Sequence, residues 1–180
     1  MNFMNKKETK ETKMNWIIHY EADYICDVCR EKHAPLFKPF LCNAHTHGMR
    51  ETYKHPEFQI VLHIGESKVA YVLNTLCSMV QKGRRFKSGE VVSNVIANYD
   101  LQLFETSDNG EKLLRVVIPD AYNHFPDDKD CENYYNLQHL DTEDLYVNKQ
   151  NVGRIFENNT KGKRIKEELF YEKNQQRNHK

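Results

Sequence analysis

The residues most able to do chemistry are histidines that lie close together near the middle of the first half of the chain. His45 and His47 form a His-x-His pair, and His55 precedes Glu57 by two residues. On a β-strand, side chains two residues apart point to the same face, and paired imidazoles on one face are typical zinc ligands. A metal ion held there could polarise a water molecule, with Glu57 as general base. The catalytic candidates are therefore His45, His47, His55 and Glu57.

The same segment also suits a polar pocket that binds a ligand without reacting. Imidazole rings, a hydroxyl and a carboxylate together donate and accept hydrogen bonds, and paired histidines often serve structure. The ligand-binding candidates are His45, Thr46, His47, His55 and Glu57. Our first interpretation is a small module that binds a ligand or a partner protein. A small zinc-dependent hydrolase that uses His45 and His47 is its alternative.

A second candidate metal site combines cysteines with one of these histidines. Cys26-x2-Cys29 is followed, after twelve residues, by Cys42-x2-His45, a spacing typical of small zinc sites. The metal-ligand candidates are Cys26, Cys29, Cys42 and His45, with His33 as an alternative ligand. On a regular strand Cys42 and His45 point to opposite faces, so a bulge would be needed to bring both onto one ion. In this third interpretation zinc is a structural clip, and the protein acts through protein–protein contacts.

Strands and one helix must position the histidine segment. Residues 16–20, 40–46 and 58–64 are rich in strand-favouring side chains, and a polar link joins the last two. A helix begins at residues 65–67 and ends at Gly83, because the apolar residues between them recur at intervals of three and four. These residues are Val69, Val72, Leu73, Leu76, Met79 and Val80.

The second half of the chain predicts another helix, a hairpin and a loop. Four apolar residues between positions 91 and 96 indicate a shorter second helix. Asp108-Asn109-Gly110 is a hairpin turn signal between the strand-like residues 99–105 and 112–118. The acidic and aromatic residues 119–145 read as an ordered surface loop. The order of elements predicts an α+β fold, in which two helices pack on one face of a small antiparallel sheet and charged tails lie at both ends.

Length and composition predict one folded domain with a charged tail at each end. The chain has 180 residues, of which residues 1–13 are polar and predict a disordered tail. Residues 14–155 are long enough for a single domain. Residues 156–180 predict a second charged tail, in which a few apolar positions allow partial helix formation.

Charge and hydropathy narrow the classes of partner. The formal net charge is zero, which makes binding to nucleic acid unfavourable without local clustering of basic residues. No stretch approaches the roughly 18 apolar residues of a membrane-spanning helix, and residues 1–13 lack the apolar core of a signal peptide. We therefore expect a cytoplasmic protein that does not bind membranes. Five cysteines, two of them as Cys-x2-Cys, favour thiol or metal chemistry over disulfides in that compartment.

Several motifs resemble one known family. They are Ala44-His45-Thr46-His47-Gly48-Met49, the segment 55–62 that begins His-Pro-Glu-Phe, Leu73-Asn74 within the helix, and the turn at residues 82–86. In this order they resemble the bacterial family catalogued as domain of unknown function 4262, over about residues 40–120. The resemblance implies a shared fold region and a shared pocket, and it implies no activity.

Overall fold

A mixed six-stranded sheet forms the centre of the fold. The computed structural model describes residues 14–23 and 35–147. The strands lie in the spatial order β1-β2-β3-β6-β5-β4, and all described neighbours pair antiparallel except β3 and β6, which are parallel. Their bounds are β1 Ile17–Ala22, β2 Leu41–His47, β3 Glu57–Leu62, β4 Val91–Ile96, β5 Tyr99–Asp108 and β6 Glu111–Val117.

The α+β class is therefore confirmed, but the prediction of a purely antiparallel sheet is wrong. The chain leaves β3, forms a helix and the β4–β5 pair, and returns to place β6 beside β3. Parallel neighbours need such a long crossover, because a tight turn always reverses the strand direction. The sheet thus consists of two antiparallel three-stranded halves joined by one parallel pair.

The principal helix covers one face of the sheet. This helix, α2, spans Glu66–Gln81, as the apolar spacing predicts, and a short helix, α1, spans Met49–Tyr53 within the polar link. Side chains of α2 pack against those of β2, β3, β5 and β6 in the main apolar core. The residues that α2 buries are Val69, Val72, Leu73, Leu76, Cys77 and Val80.

The predicted second helix at residues 91–96 is wrong, because these residues form strand β4. Val92 and Val95 are both buried although they lie three positions apart, which imitates helical spacing. The cause is an irregularity in the β4–β5 register between Val92 and Ile96, where Asn94 has a φ of 65°. An extra residue of this kind shifts the side-chain alternation by one position. The hairpin prediction is confirmed, since β5 and β6 flank Asn109 and Gly110.

The opposite face of the sheet is covered by two 3-10 segments, Asn133–His139 and Thr142–Leu145. Arg115 of β6 is fully buried beneath them and uses all five of its N–H groups. Its Nε and Nη2 donate to Gln59 Oε1 at 3.0 and 2.8 Å, and Nη2 also donates to Thr142 Oγ1 at 3.0 Å. Nη1 donates to the carbonyls of Gln138 and Leu140. The predicted surface loop is thus partly buried.

Several predictions concern residues outside the described ranges. The tail at residues 1–13 and the tail at residues 156–180 both lie there, as does the end of the predicted domain beyond residue 147. Within residues 14–23 and 35–147, no helix has the length and apolar character needed to cross a membrane.

We expect Gly48→Ala to destabilise the fold more than Gly110→Ala. Both glycines have positive φ, at +107° and +79°, so alanine is strained at each by roughly 1 kcal/mol. At Gly48 a Cβ would also lie 2.6 Å from the backbone oxygen of Asn15, whereas nothing lies within 4 Å of a Cβ at Gly110. Urea unfolding should show a loss of about 1 kcal/mol for Gly110→Ala and roughly 3 kcal/mol for Gly48→Ala. Equal losses would contradict this close approach of Gly48 to the backbone of Asn15.

Candidate functional site

The register between β1 and β2 brings three histidines onto one face of the sheet. His19 of β1 pairs with His45 of β2, and Ile17 pairs with His47. Because side chains alternate along each strand, His19, His45 and His47 share the face opposite α2. The prediction that His45 and His47 lie on one face is confirmed, and β1 adds a third imidazole.

The three imidazoles are close enough to serve one metal ion. Each offers a ring nitrogen, and these nitrogens lie within 4.8 Å of one another. The ring centroids of His45 and His47 are 4.7 Å apart, and that of His19 is 5.2 Å from His45 and 6.1 Å from His47. Two nitrogens on a tetrahedral zinc ion lie about 3.4 Å apart, so modest rotations of these rings would complete the site.

Two of the three imidazoles have an orienting polar group on their own strand. His19 Nε2 lies 3.5 Å from Glu21 Oε1, and His45 Nδ1 lies 3.3 Å from Asn43 Oδ1. Glu21 and Asn43 pair with each other across the ladder, two residues along from the pair formed by His19 and His45 and on the same face of the sheet. Metal-binding histidines usually hold a second group of this kind through the ring nitrogen that does not bind the ion.

Burial keeps the central imidazole uncharged. Loss of solvation, followed by repulsion from the His47 and His19 rings, lowers the pKa of His45 from 6.5 to about 4. A neutral imidazole retains a lone pair on one nitrogen, which is the form that binds a metal ion. His45 is therefore ready to act as a ligand at neutral pH without first losing a proton.

The histidines line a cleft of about 400 Å³ whose other polar groups are mainly acidic or uncharged. Burial raises the pKa of Glu21 and that of Asp108, and no described residue of the lining is lysine or arginine. Arg115, a buried cation among the described residues, has all its N–H groups committed to other partners. The lining consists of His19, Glu21, Asn43, His45, His47, Asp108, Asn109, Thr142, Glu143 and Tyr146.

His55, a catalytic and ligand-binding candidate, lies away from this cleft and is held by the fold. Its Nδ1 is 2.7 Å from the carbonyl of Pro56, and its Nε2 accepts a hydrogen bond from the backbone N–H of Phe86 at 3.2 Å. Burial lowers the pKa of His55, and its ring packs against those of Phe58 and Phe86. Both ring nitrogens are thus engaged in joining the end of α1 to the turn that follows α2.

Glu57 and Thr46, the remaining candidates, form a second structural network. The Glu57 carboxylate accepts hydrogen bonds from the backbone N–H groups of Gly48 and Arg50, both at 3.0 Å, and from the Thr46 hydroxyl at 2.6 Å. Thr46 Oγ1 in turn accepts from the backbone N–H of Phe58 at 2.9 Å. These contacts fix the start of α1 immediately after His47.

Of the cysteine set, only Cys42 and His45 belong to the described residues. Cys26, Cys29 and the alternative ligand His33 lie outside them. The regular pairing of β1 with β2 directs Cys42 and His45 to opposite faces of β2. The Cys42 thiol is fully buried, its Sγ lies 3.9 Å from the carbonyl of Ile60, and burial raises its pKa to about 12. This arrangement does not favour a single ion shared by Cys42 and His45.

His19 is the site residue that the sequence analysis missed. A signal for it was present, because His19 lies in the strand-like segment 16–20 and is two residues from Glu21, so that a continued strand would direct both side chains to one face. What the sequence does not contain is the register that places His19 opposite His45.

The low pKa of His45 predicts a pH dependence of stability that His45→Gln removes. Between pH 4 and 6.5 the unfolded chain binds more protons at position 45 than the folded chain, so this residue makes the free energy of unfolding fall as the pH falls. Urea unfolding in a chelating buffer at pH 7.0, 5.5 and 4.5 should show a steeper fall for the wild type than for His45→Gln. Parallel curves would contradict the buried, neutral imidazole.

A comparison with known protein families finds a family that matches part of the chain. Residues 36–132 match the family described as Domain of unknown function (DUF4262), which confirms the resemblance noted from the motifs. Comparisons with curated proteins and with solved structures gave no match. The matched segment contains His45 and His47, whereas His19 precedes it and Glu143 follows it. Because the match covers more than half of the 180 residues, the chain belongs to the DUF4262 family.

Proposed function

We propose that this protein binds a divalent transition-metal ion, best matched by zinc, through His19, His45 and His47. The observation that carries the proposal is the convergence of three ring nitrogens within 4.8 Å of one another in the lining of an open cleft. Imidazole suits zinc, copper, iron and nickel. Three protein ligands leave one position of a tetrahedral zinc ion open to water or a small molecule.

The orienting groups give this proposal independent support. Histidines that merely lie on a polar surface do not need a fixed ring direction, whereas a metal ligand does. Here Glu21 faces one nitrogen of His19 and Asn43 faces one nitrogen of His45. The remaining ring nitrogens are then the ones that bind the ion.

The charge of the cleft limits what could bind at the open position. Glu21, Asp108 and Glu143 line the cleft, and no described lysine or arginine does. A bound dication favours the ionised forms of these carboxylates, whose combined negative charge exceeds the charge of the ion. We therefore infer that the ligand of the metal ion is a neutral or cationic small molecule rather than an anion.

A metal-dependent hydrolase is the second candidate, favoured by the open coordination position. The nucleophile would be a water molecule bound to the ion. Asp108 and Glu143 are carboxylates of the same cleft and are our candidates for the general base. Glu57 is not, because three donors of the chain already occupy its oxygens.

Zinc binding and its dependence on the three histidines can be measured by calorimetry of the chelator-treated protein. We expect one zinc ion per cleft, and an affinity lowered at least roughly 100-fold by His19→Ala or His47→Ala, because each removes one of the three ligands. His139→Ala is the matched control, since His139 lies outside the cleft beside Asp127 and should leave the affinity unchanged.

A structural zinc site built on Cys26 and Cys29 predicts the opposite result in the same calorimetric assay. A variant that carries both Cys26→Ser and Cys29→Ser should keep the cleft ion under our proposal. Loss of zinc from this double variant, together with full zinc binding by His47→Ala, would contradict the histidine site and support the structural clip.

The open position and its charge preference can be tested with cobalt in place of zinc. Imidazole, a neutral ligand, should perturb the visible absorption of the cobalt protein at lower concentration than azide, an anion. Glu143→Gln should strengthen azide binding several-fold and leave imidazole binding nearly unchanged, because it removes one negative charge from the lining. If neither probe changes the spectrum, the ion has no exchangeable position, and both the ligand and the hydrolase proposals fail.

A further inference from the structure

A line of hydrogen bonds connects the buried guanidinium of Arg115 to the ring of His45. A guanidinium only donates hydrogen bonds, so the atom of Gln59 that lies 3.0 and 2.8 Å from Arg115 Nε and Nη2 must be the amide oxygen. The amide nitrogen of Gln59 is then turned the other way. Its position is fixed by Arg115 and not by solvent, because both side chains are fully buried.

The orientation of Gln59 determines that of Asn43. The amide nitrogen of Gln59 donates to Asn43 Oδ1 at 2.9 Å, so Asn43 presents its oxygen to the interior. Its Nδ2 consequently points outward, where it donates to the hydroxyl of Tyr146 at 3.1 Å and to the carboxylate of Asp108. The Tyr146 hydroxyl in turn lies 3.4 Å from a carboxylate oxygen of Glu21. Every donor in this row meets an acceptor.

The oxygen of Asn43 also faces His45, and this contact selects one tautomer. Nδ1 of His45 lies 3.3 Å from Asn43 Oδ1. An amide oxygen only accepts, so Nδ1 must carry the proton. A neutral imidazole has a single N–H, which leaves the lone pair on Nε2.

We propose that Arg115, Gln59 and Asn43 are positioning residues that hold His45 in the tautomer protonated at Nδ1. The consequence for metal binding rests on the proposed function, because only the Nε2 lone pair would then be available to the ion. The tautomer itself does not rest on it, since it is a property of the metal-free protein.

Gln59→Glu reverses the polarity of this row with almost no change of shape. The new carboxylate still accepts from Arg115, so the anchor of the 3-10 segments is kept. It cannot donate to Asn43. We expect the Asn43 amide to turn so that Nδ2 faces both the new carboxylate and His45, because repulsion from a fully buried carboxylate at position 59 outweighs the loss of the hydrogen bond to the half-buried Asp108. Asn43 Oδ1 would accept from the Tyr146 hydroxyl instead. His45 Nδ1 would face a donor, and its proton would move to Nε2.

The nitrogen chemical shifts of the His45 ring, measured by ¹⁵N NMR on the metal-free protein at pH 7, report the tautomer directly. We expect a protonated Nδ1 in the wild type and a protonated Nε2 in Gln59→Glu. Zinc affinity should fall about 10- to 100-fold in this variant, the range found when an orienting partner is lost. A merely structural role of Gln59 would not move the proton between the two ring nitrogens.

Asn43→Asp is the matched control, because its oxygens accept from both Gln59 and His45 and so preserve the polarity of the row. It should keep the proton on Nδ1. An Nε2-protonated ring in the wild type would overturn the proposal without any variant. So would an unchanged tautomer in folded Gln59→Glu. If zinc fails to bind but the tautomer changes as expected, the proposed function is refuted. The row of hydrogen bonds from Arg115 to His45 would still hold the tautomer.

Discussion

The buried guanidinium of Arg115 is the constraint on which the described structure depends. A charged group taken out of water is stable only when all its donors are satisfied. Here the five N–H groups are satisfied by strand β3, by the two 3-10 segments and by Leu140, which lies between those segments. The same contacts bring Thr142 against the sheet and so place one wall of the cleft. A single buried residue thereby connects the packing of the second face of the sheet with the geometry of the candidate site.

The β1–β2 ladder supplies the other half of the site. His19 pairs with His45, and two residues further along the same two strands Glu21 pairs with Asn43, so the orienting groups lie beside the ligand candidates on one face. Glu57 and the glycine after His47 complete the support, because their hydrogen bond fixes the chain where β2 ends and α1 begins. The chemistry proposed here thus uses side chains of regular strands, whose directions are set by backbone pairing and not by a mobile loop.

Local patterns predicted what depends on local geometry. The alternation of side chains along a strand predicted that His45 and His47 share one face. The spacing of apolar residues predicted α2, and the Asn-Gly pair predicted the hairpin. Register and long-range pairing were not predicted, because they depend on residues that are distant in sequence. A bulge gave residues 91–96 the apolar spacing of a helix. The sequence of β1 does not specify that β2 is its partner. For the same reason His55 and Glu57 were grouped with the other candidates by their closeness in sequence, although the fold uses them elsewhere.

The most direct test of the histidine site is X-ray absorption spectroscopy of the wild-type protein loaded with one equivalent of zinc. Three imidazole nitrogens and one exchangeable ligand should give a first shell of nitrogen and oxygen at about 2.0 Å, with the multiple-scattering pattern of histidine rings. A sulfur shell at about 2.3 Å would show that cysteines hold the ion, and would contradict the assignment to His19, His45 and His47.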